Sequence, residues 1–325
     1  MMYTSQCAVQ GRGHVKTGTP CQDKTFSLSR NGVDVIALAD GAGSASLSHL
    51  GAEFTVRYIC QRLTEQFDSY MAAENPQPIK SDLLDGLLTG LNDLAKENNC
   101  PLNSLASTLL FAAVKDGRYL IGHLGDGVVG YTKQGKIHVA SAPQNGEFAN
   151  ITLFTTSANA LSALKLIRGD MQDIDGFVLF SDGSEASLYS KRERRISKAV
   201  ENTMELTRHW QENYVSEVLQ EGFEKSIRSY TFDDCSIAVM VKPGGFHALS
   251  QGEKCQLLHL PERTPRRILR TYQTIFTSAQ KECALPVIAR KIPLRSRHTR
   301  NKLEHLVSLG LAEKKGFRYR SLLRP

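Results

Sequence analysis

Apolar runs that end on an Asp-Gly pair recur along this 325-residue chain, and they limit its possible folds more than any other feature. Val35-Ile-Ala-Leu-Ala39 leads into Asp40-Gly41, Tyr119-Leu-Ile-Gly-His-Leu-Gly125 into Asp126-Gly127, and Gly176-Phe-Val-Leu-Phe-Ser181 into Asp182-Gly183. A short apolar run bounded by turn residues suits a buried strand, and the following glycine lets the chain turn sharply. Each run therefore delivers one carboxylate to a strand end. Asp233-Asp234 inverts the order by opening the run Cys235 to Val241, and Asp23 precedes a strand expected over Lys24 to Ser29. Asn31-Gly32 joins that strand to Val33–Ala39 as a hairpin, which sets Asp23 and Asp40 on neighbouring strand ends.

No histidine or cysteine stands at comparable ligand spacing beside Asp23, Asp40, Asp126, Asp182, Asp233 and Asp234. An all-oxygen set favours hard cations, Mg²⁺ or Mn²⁺ over Zn²⁺. Without a cation, converging acids repel one another and their pKa values rise. Two bridging divalent ions, typically about 3.5–4 Å apart, relieve that repulsion and activate a water for attack on phosphorus.

The remaining pattern predicts a mixed chain. A first strand is expected over residues 3–10, and the glycine-rich loop from Gly11 to Asp23 is expected to lack regular structure. Helical spacing runs from Leu50 to Phe67 and, after the break at Pro76 and Pro78, from Leu83 to Leu94. Strands follow over 107–114, 119–124, 128–133 and 136–140, with shorter ones at Thr152–Thr156 and Ala163–Ile167, and a long helical region is expected over 191–229. Meanders of this kind argue for antiparallel sheets. Seven scattered cysteines without a CxxC pair fit reduced thiols better than a disulfide framework. The chain shows neither an apolar run near the ~20 residues of a membrane span nor a signal-like start, so a cytoplasmic protein without membrane contact is expected.

Charge divides the chain. Residues 246–325 carry 17 Lys and Arg against 5 Asp and Glu, a net of +12, so with +7 overall the first 245 residues carry −5. The basic part reads as helix, short helix, a helix from Ser296 to Leu309 with Ser296 as its cap, and a ribbon around Gly316. This order resembles bacterial winged helix-turn-helix domains. Arg295, Arg297, Arg300 and Lys302 would open the recognition helix and meet DNA, or a protein partner docked there instead.

The motifs Gln22-Asp23, Ala39-Asp-Gly-Ala-Gly43, Leu124-Gly-Asp-Gly127, Phe180-Ser-Asp-Gly183 and Asp233-Asp-Cys-Ser236 resemble, in order, those of the metal-dependent protein phosphatases, the protein phosphatase 2C-like family, and of its bacterial branch most. The resemblance covers residues 3–242. It implies an α+β fold, a four-layer sandwich of two antiparallel sheets flanked by helices, followed here by a small winged-helix domain. The corresponding division is a catalytic domain 1–245, a linker 246–262 and a C-terminal domain 263–325. It also implies two Mn²⁺ or Mg²⁺ ions: Asp40 bridges both, Gly41 offers its carbonyl, Asp182 and Asp233 hold the second, and Asp23 acts on that ion or its water shell. Asp126 matches an acid that binds a third, weaker ion in many members. The implied reaction is hydrolysis of phosphoserine or phosphothreonine in a protein by a metal-bridging water, with Asp40, Asp182 and Asp233 as the catalytic core.

Three departures stand out. Gln22 replaces a frequent glutamate. Gly18 falls about where a phosphate-gripping arginine usually lies, leaving Arg12, His14 or Lys16 to bind phosphate. Ala186, beside Glu185, replaces the second acid of a third metal site. These departures keep alive a rival reading, a phosphatase-like sensor that regulates transcription through the basic module; a two-metal nuclease is a further rival that the motif order does not favour.

Overall fold

The computed structural model describes residues 1–143, 152–292 and 294–325. The chain divides into two compact units, Met1–Met204 with Ser216–Lys242, and Glu205–Val215 with Pro243–Pro325.

The first unit begins with β1 (Tyr3–Val9), α1 (Arg12–Thr17), β2 (Lys24–Arg30) and β3 (Val33–Ala39), followed by the long helices α2 (Ser48–Ala72) and α3 (Pro76–Glu97). The meander β4 (Leu109–Lys115), β5 (Arg118–Leu124), β6 (Val128–Lys133) and β7 (Lys136–Ser141) comes next. After α4 (Ala160–Ala163) come β8 (Lys165–Asp170), β9 (Ile174–Phe180), α5 (Asp182–Leu188), a small ribbon of β10 (Tyr189–Ser190) and β11 (Arg195–Ile196), α6 (Lys198–His209), α7 (Glu212–Lys225) and β12 (Cys235–Val241).

Two five-stranded antiparallel sheets result, in the orders β1-β12-β9-β6-β7 and β2-β3-β4-β5-β8. Alternation along β3 explains why all seven of its residues are buried. Val33, Val35, Ala37 and Ala39 join a core with Ile59, Leu63 and Phe67 of α2 and Leu83, Leu87 and Leu91 of α3. Ile36 and Leu38 point the other way, into the core shared with Phe177 and Leu179 of β9 and Ala238 and Met240 of β12. A strand covered on both faces cannot hold a polar interior position without a partner, and Asp34 has its own in the Met2 amide and the Ser29 hydroxyl. Helices thus flank stacked sheets, as the family resemblance implies.

Several local expectations are corrected. Residues 12–17 are helical: Gly11 and Gly13 let the turn lie against Phe232 and Asp233, and Gly18 ends it at φ 71. Helix α3 starts at Pro76 itself, because proline suits the first helical position and the Asn75 side chain caps the amide of Gln77. Thr152–Thr156 is not a strand, and the expected strand at Ala163–Ile167 is β8, displaced to Lys165–Asp170. The long helical region is broken, with β11 inside it and a bend at Trp210 and Gln211 between α6 and α7.

The second unit adds α8 (Gln251–Leu257), α9 (Arg266–Ser278), β13 (Cys283–Ala284), α10 (Leu285–Arg290), α11 (Ser296–Ser308), β14 (Ala312–Lys315) and β15 (Arg318–Ser321). Its three strands pair in the order β13-β15-β14. The segment expected as a linker over 246–262 is built into this unit. Ser250 and Glu253 close a capping box on α8, and Phe246, Cys255 and Leu258 are buried with Ile275, Phe276, Leu303 and Leu306. Ser296 is not a cap; it is the first residue of α11, preceded by Arg295.

Candidate active site

Sheet register brings the Asp-bearing strand ends to one end of the sandwich. Lys24 pairs with Ala39, so Asp23 and Asp40 adjoin at one end of the β2–β3 ladder. Phe180 pairs with both Val128 and Ile237, which sets the turns carrying Asp126, Asp182 and Asp233-Asp234 beside one another. The backbone at Asp40 is pinned on both sides, its amide to the Thr108 hydroxyl at 2.9 Å and its carbonyl to the Thr108 amide at 2.8 Å. Gly41 is needed by close approach: a Cβ there would lie 2.8 Å from the Ser48 Cβ and hydroxyl.

Asp40, Asp126 and Asp182 each place a carboxylate oxygen within 4.8 Å of the others. Burial, followed by Asp23, Asp182 and Asp233, holds Asp40 well above the usual carboxylate range. Burial and Asp126 push Asp182 up to about 6. Asp23 is 1% exposed and neither oxygen has a hydrogen-bond partner of good geometry, while one oxygen of Asp182 is likewise unpartnered. Burial pushes Asp23 up to about 7, with Ser181 and Ser236 nearby opposing the rise and Asp234 and Asp182 adding to it. Buried carboxylate oxygens without donors are costly unless a cation meets them. An all-oxygen donor set with unpartnered oxygens fits hard divalent ions.

A second cluster joins His14, Asp233 and Asp234 within the same 4.8 Å limit. Asp233 is exposed and accepts the Asp234 amide at 2.8 Å. Asp234 is buried and holds the site's N-terminal wall. One of its oxygens accepts the Gly11 amide at 2.6 Å and lies 2.9 Å from His14 Nδ1, and the other accepts the Gln22 amide. Sequence reasoning counted Asp234 among the strand-end acids but gave the ligand role to Asp233 alone. The two distant amides that occupy Asp234 carry no sequence signal.

The residues predicted to bind phosphate lie on α1. Arg12 donates through Nε to the Thr231 carbonyl at 2.9 Å and stacks its guanidinium 4.6 Å from the centre of the Phe232 ring. Lys16 Nζ sits 5.8 Å from the same ring, and His14 is the only one of the three placed against the acids. Gly18 has the positive φ of a helix C-cap, a conformation that disfavours an arginine at that position. Lys191 was not anticipated: it pairs with Glu185 at 2.8 Å, and Asp182 and Asp126 help hold its ammonium charged. Glu185, beside Ala186, is buried with its other oxygen unpartnered.

In the second unit Arg295, Arg297 and Arg300 are exposed, as a contact surface requires. Lys302 departs from the expected group, because its Nζ lies over the Tyr272 ring, 4.3 Å from the centroid.

A family model described as protein phosphatase 2C matches residues 10–224. Among solved structures, the serine/threonine phosphatase of S. agalactiae is 15% identical, covers 74% of this chain and 100% of its own, and superposes with a TM-score of 0.52. A bacterial serine phosphatase is 14% identical with 75% and 99% coverage and a TM-score of 0.53. Serine/threonine phosphatase Stp1 from Staphylococcus aureus is 14% identical with 75% and 96% coverage and a TM-score of 0.51. At these identities the likeness is one of fold. No curated protein matches the chain. With a family match spanning most of the first unit and the acidic strand ends gathered at one end of its sandwich, the chain belongs to the protein phosphatase 2C family.

Proposed function

We infer that this chain is a metal-dependent protein phosphatase acting on phosphoserine or phosphothreonine. The observation that carries the reading is the convergence of Asp40, Asp126 and Asp182 beside a buried Asp23 whose oxygens lack donors. Asp23, Asp40, Asp182 and Asp233, with the carbonyl of Gly41, would hold two Mn²⁺ or Mg²⁺ ions. When bound, such ions supply positive charge to a phosphoryl group and lower the pKa of a water. Asp126 would hold a weaker ion; one oxygen of the buried Glu185 pairs with Lys191 and the other has no partner.

The protein's own groups set up the rest. Thr108 fixes the Asp40-Gly41 turn, Ser48 packs closely against Gly41, and Asp234 holds the start of α1 through the Gly11 amide and lies against His14. His14 offers its remaining ring nitrogen to a phosphate oxygen or to the departing serine or threonine oxygen. Arg12 and Lys16 form a cationic rim around Phe232, suited to acceptor groups flanking the phosphorylated residue of a protein substrate. All seven cysteines are free, and among the described residues no helix is long and apolar enough to cross a membrane; both support a cytoplasmic setting. The helix and strand order from α9 to β15, with its three-stranded sheet, supports a winged-helix module that targets or regulates the phosphatase.

The test is Mn²⁺-dependent phosphate release from a phosphothreonine peptide, with an EDTA control and Asp182→Asn. Release should require the metal and fall on the order of 10²-fold or more in the variant, as loss of a ligand exceeds the usual cost of losing a ligand's supporting group. Retained metal binding without turnover would transfer the reading to a phosphate sensor.

A further inference from the structure

Helices α8 and α9 of the second unit flank a cavity of about 360 Å³ that the phosphatase chemistry does not use. Small-molecule sites typically span about 300–1,000 Å³. The floor is apolar: Phe246 and Leu269 are buried, and Phe246 packs on Phe276 with ring centroids 4.8 Å apart. The walls are cationic, with Lys254 from α8 and Arg266 and Arg270 from α9. No acidic side chain lines the cavity, and among the described residues these three cations form no ion pair. Glu253, the acid beside Lys254 in the sequence, is taken up by the capping box with Ser250. Two of the cations are held in place by the protein. Lys254 Nζ donates to the His247 carbonyl at 3.1 Å and lies 5.5 Å from the centre of the Phe246 ring. Arg266 Nε donates to Gln251 Oε1 at 3.3 Å, and the Gln251 amide nitrogen donates to the Thr264 carbonyl at 3.3 Å. Arg266 and Arg270 stand four residues apart at the start of α9, whose first turn holds no acid. Like charges at that spacing repel, and the positive end of a helix disfavours cations. The arrangement costs the folded unit stability, and a bound anion offsets that cost.

We propose that this cavity binds a small organic phosphate, its phosphate held by Lys254, Arg266 and Arg270 and its uncharged part set on Phe246 and Leu269. A phosphate monoester carries about 1.5 to 2 negative charges at neutral pH and offers three acceptor oxygens. Guanidinium groups match such oxygens with paired hydrogen bonds, and an ammonium adds a compact point charge. A single carboxylate would leave most of the cationic charge unmatched. The buried floor separates an organic phosphate from the bare ion, because only the former covers apolar surface. The second unit is then a receptor for a phosphorylated small molecule, whether or not the first unit turns over phosphate.

The experiment is isothermal titration calorimetry of the full chain in EDTA, so that no metal draws phosphate to the acidic end of the first unit. The probes are AMP, glucose 6-phosphate and phenyl phosphate, each beside its uncharged parent (adenosine, glucose or phenol) and beside inorganic phosphate. At least one of the three should bind about 10-fold or more tightly than inorganic phosphate and than its own parent. Arg266→Gln with Arg270→Gln, and separately Lys254→Gln, should each weaken that binding at least about 10-fold, as loss of a hydrogen bond to a charged group does. Arg266 and Arg270 are exposed, so their replacement leaves the core of the unit untouched. Arg297→Gln with Arg300→Gln removes the same charge from exposed positions of α11 and should bind as the parent does. No heat from any of the three compounds, or unchanged affinity in the cavity variants, would overturn the proposal. So would an equal loss in the α11 variant, or affinity no greater than that of inorganic phosphate, which would mean an adventitious ion only.

Discussion

Asp23 concentrates the energetic problem of the site in one side chain, since its carboxyl is buried and its pKa lies at about 7. A carboxyl whose folded pKa exceeds its unfolded value binds more protons folded than unfolded, so stability falls as pH rises between the two. For Asp23 and Asp182 that window runs from the ordinary carboxylate value near 4 to about 7 and about 6. Metal-free protein should therefore be more stable to urea at the acid end of this window than above it, and Mn²⁺ should flatten the dependence by relieving the charge. Asp23→Asn in EDTA should raise stability above the window by roughly 1–3 kcal/mol, the scale of a buried polar mismatch removed. A variant no more stable than the parent would mean that Asp23 is not charged and uncompensated in the folded protein. The acids themselves were legible, because strand-end Asp-Gly pairs mark where carboxylates emerge. The task given to Asp234 was not, since it depends on amides supplied by Gly11 and Gln22, more than two hundred positions away.

Helix α1 shows why an element's existence can depend on contacts that its sequence hides. Glycines at 11, 13 and 18 read as loop, yet Gly11 and Gly13 serve close approach: a Cβ on Gly11 would meet the Asp233 carbonyl carbon and oxygen at 2.3 Å. The Gly13 amide donates to the Phe232 carbonyl at 2.8 Å, and the Gly11 amide to Asp234. Gly11→Ala should push α1 off this wall, costing about 1–3 kcal/mol as an overpacked site and displacing Arg12 and His14 with it. Urea unfolding and phosphate release measured together would separate the outcomes. Lost activity at unchanged stability would mean that α1 shifts locally, and no change in either would mean that the close approach is absent in solution. Elements with their own periodicity, β3, α2 and α3 above all, were legible because their apolar faces are complete in the sequence. Capped α8 was missed because its seven residues offer too little period to register.

At the scale of the whole chain, the boundary written in the sequence is not the boundary in space. The composition shift near residue 246 suggested a cut there, but the unit holding residues 243–325 also contains Glu205–Val215. The amide of Gln211 donates to the Leu322 carbonyl at 2.7 Å, Arg324 returns a bond from its own amide to the His209 carbonyl at 2.7 Å, and Trp210 packs on the core of Phe276 and Leu323. Such pairing between distant segments leaves no mark in local composition, so pattern reading placed the cut where the strand pattern stops and the charge changes. A fragment ending at residue 245 would leave Glu205–Val215 without its packing partners, and Trp210 reports on that loss as the only tryptophan in the chain. Its emission should shift to the red relative to the full chain, and the fragment should be more prone to associate through the uncovered Trp210. An unchanged emission maximum in a monomeric fragment would show that Trp210 keeps its cover without the C-terminal residues, and the cut suggested by composition would then be the physical one.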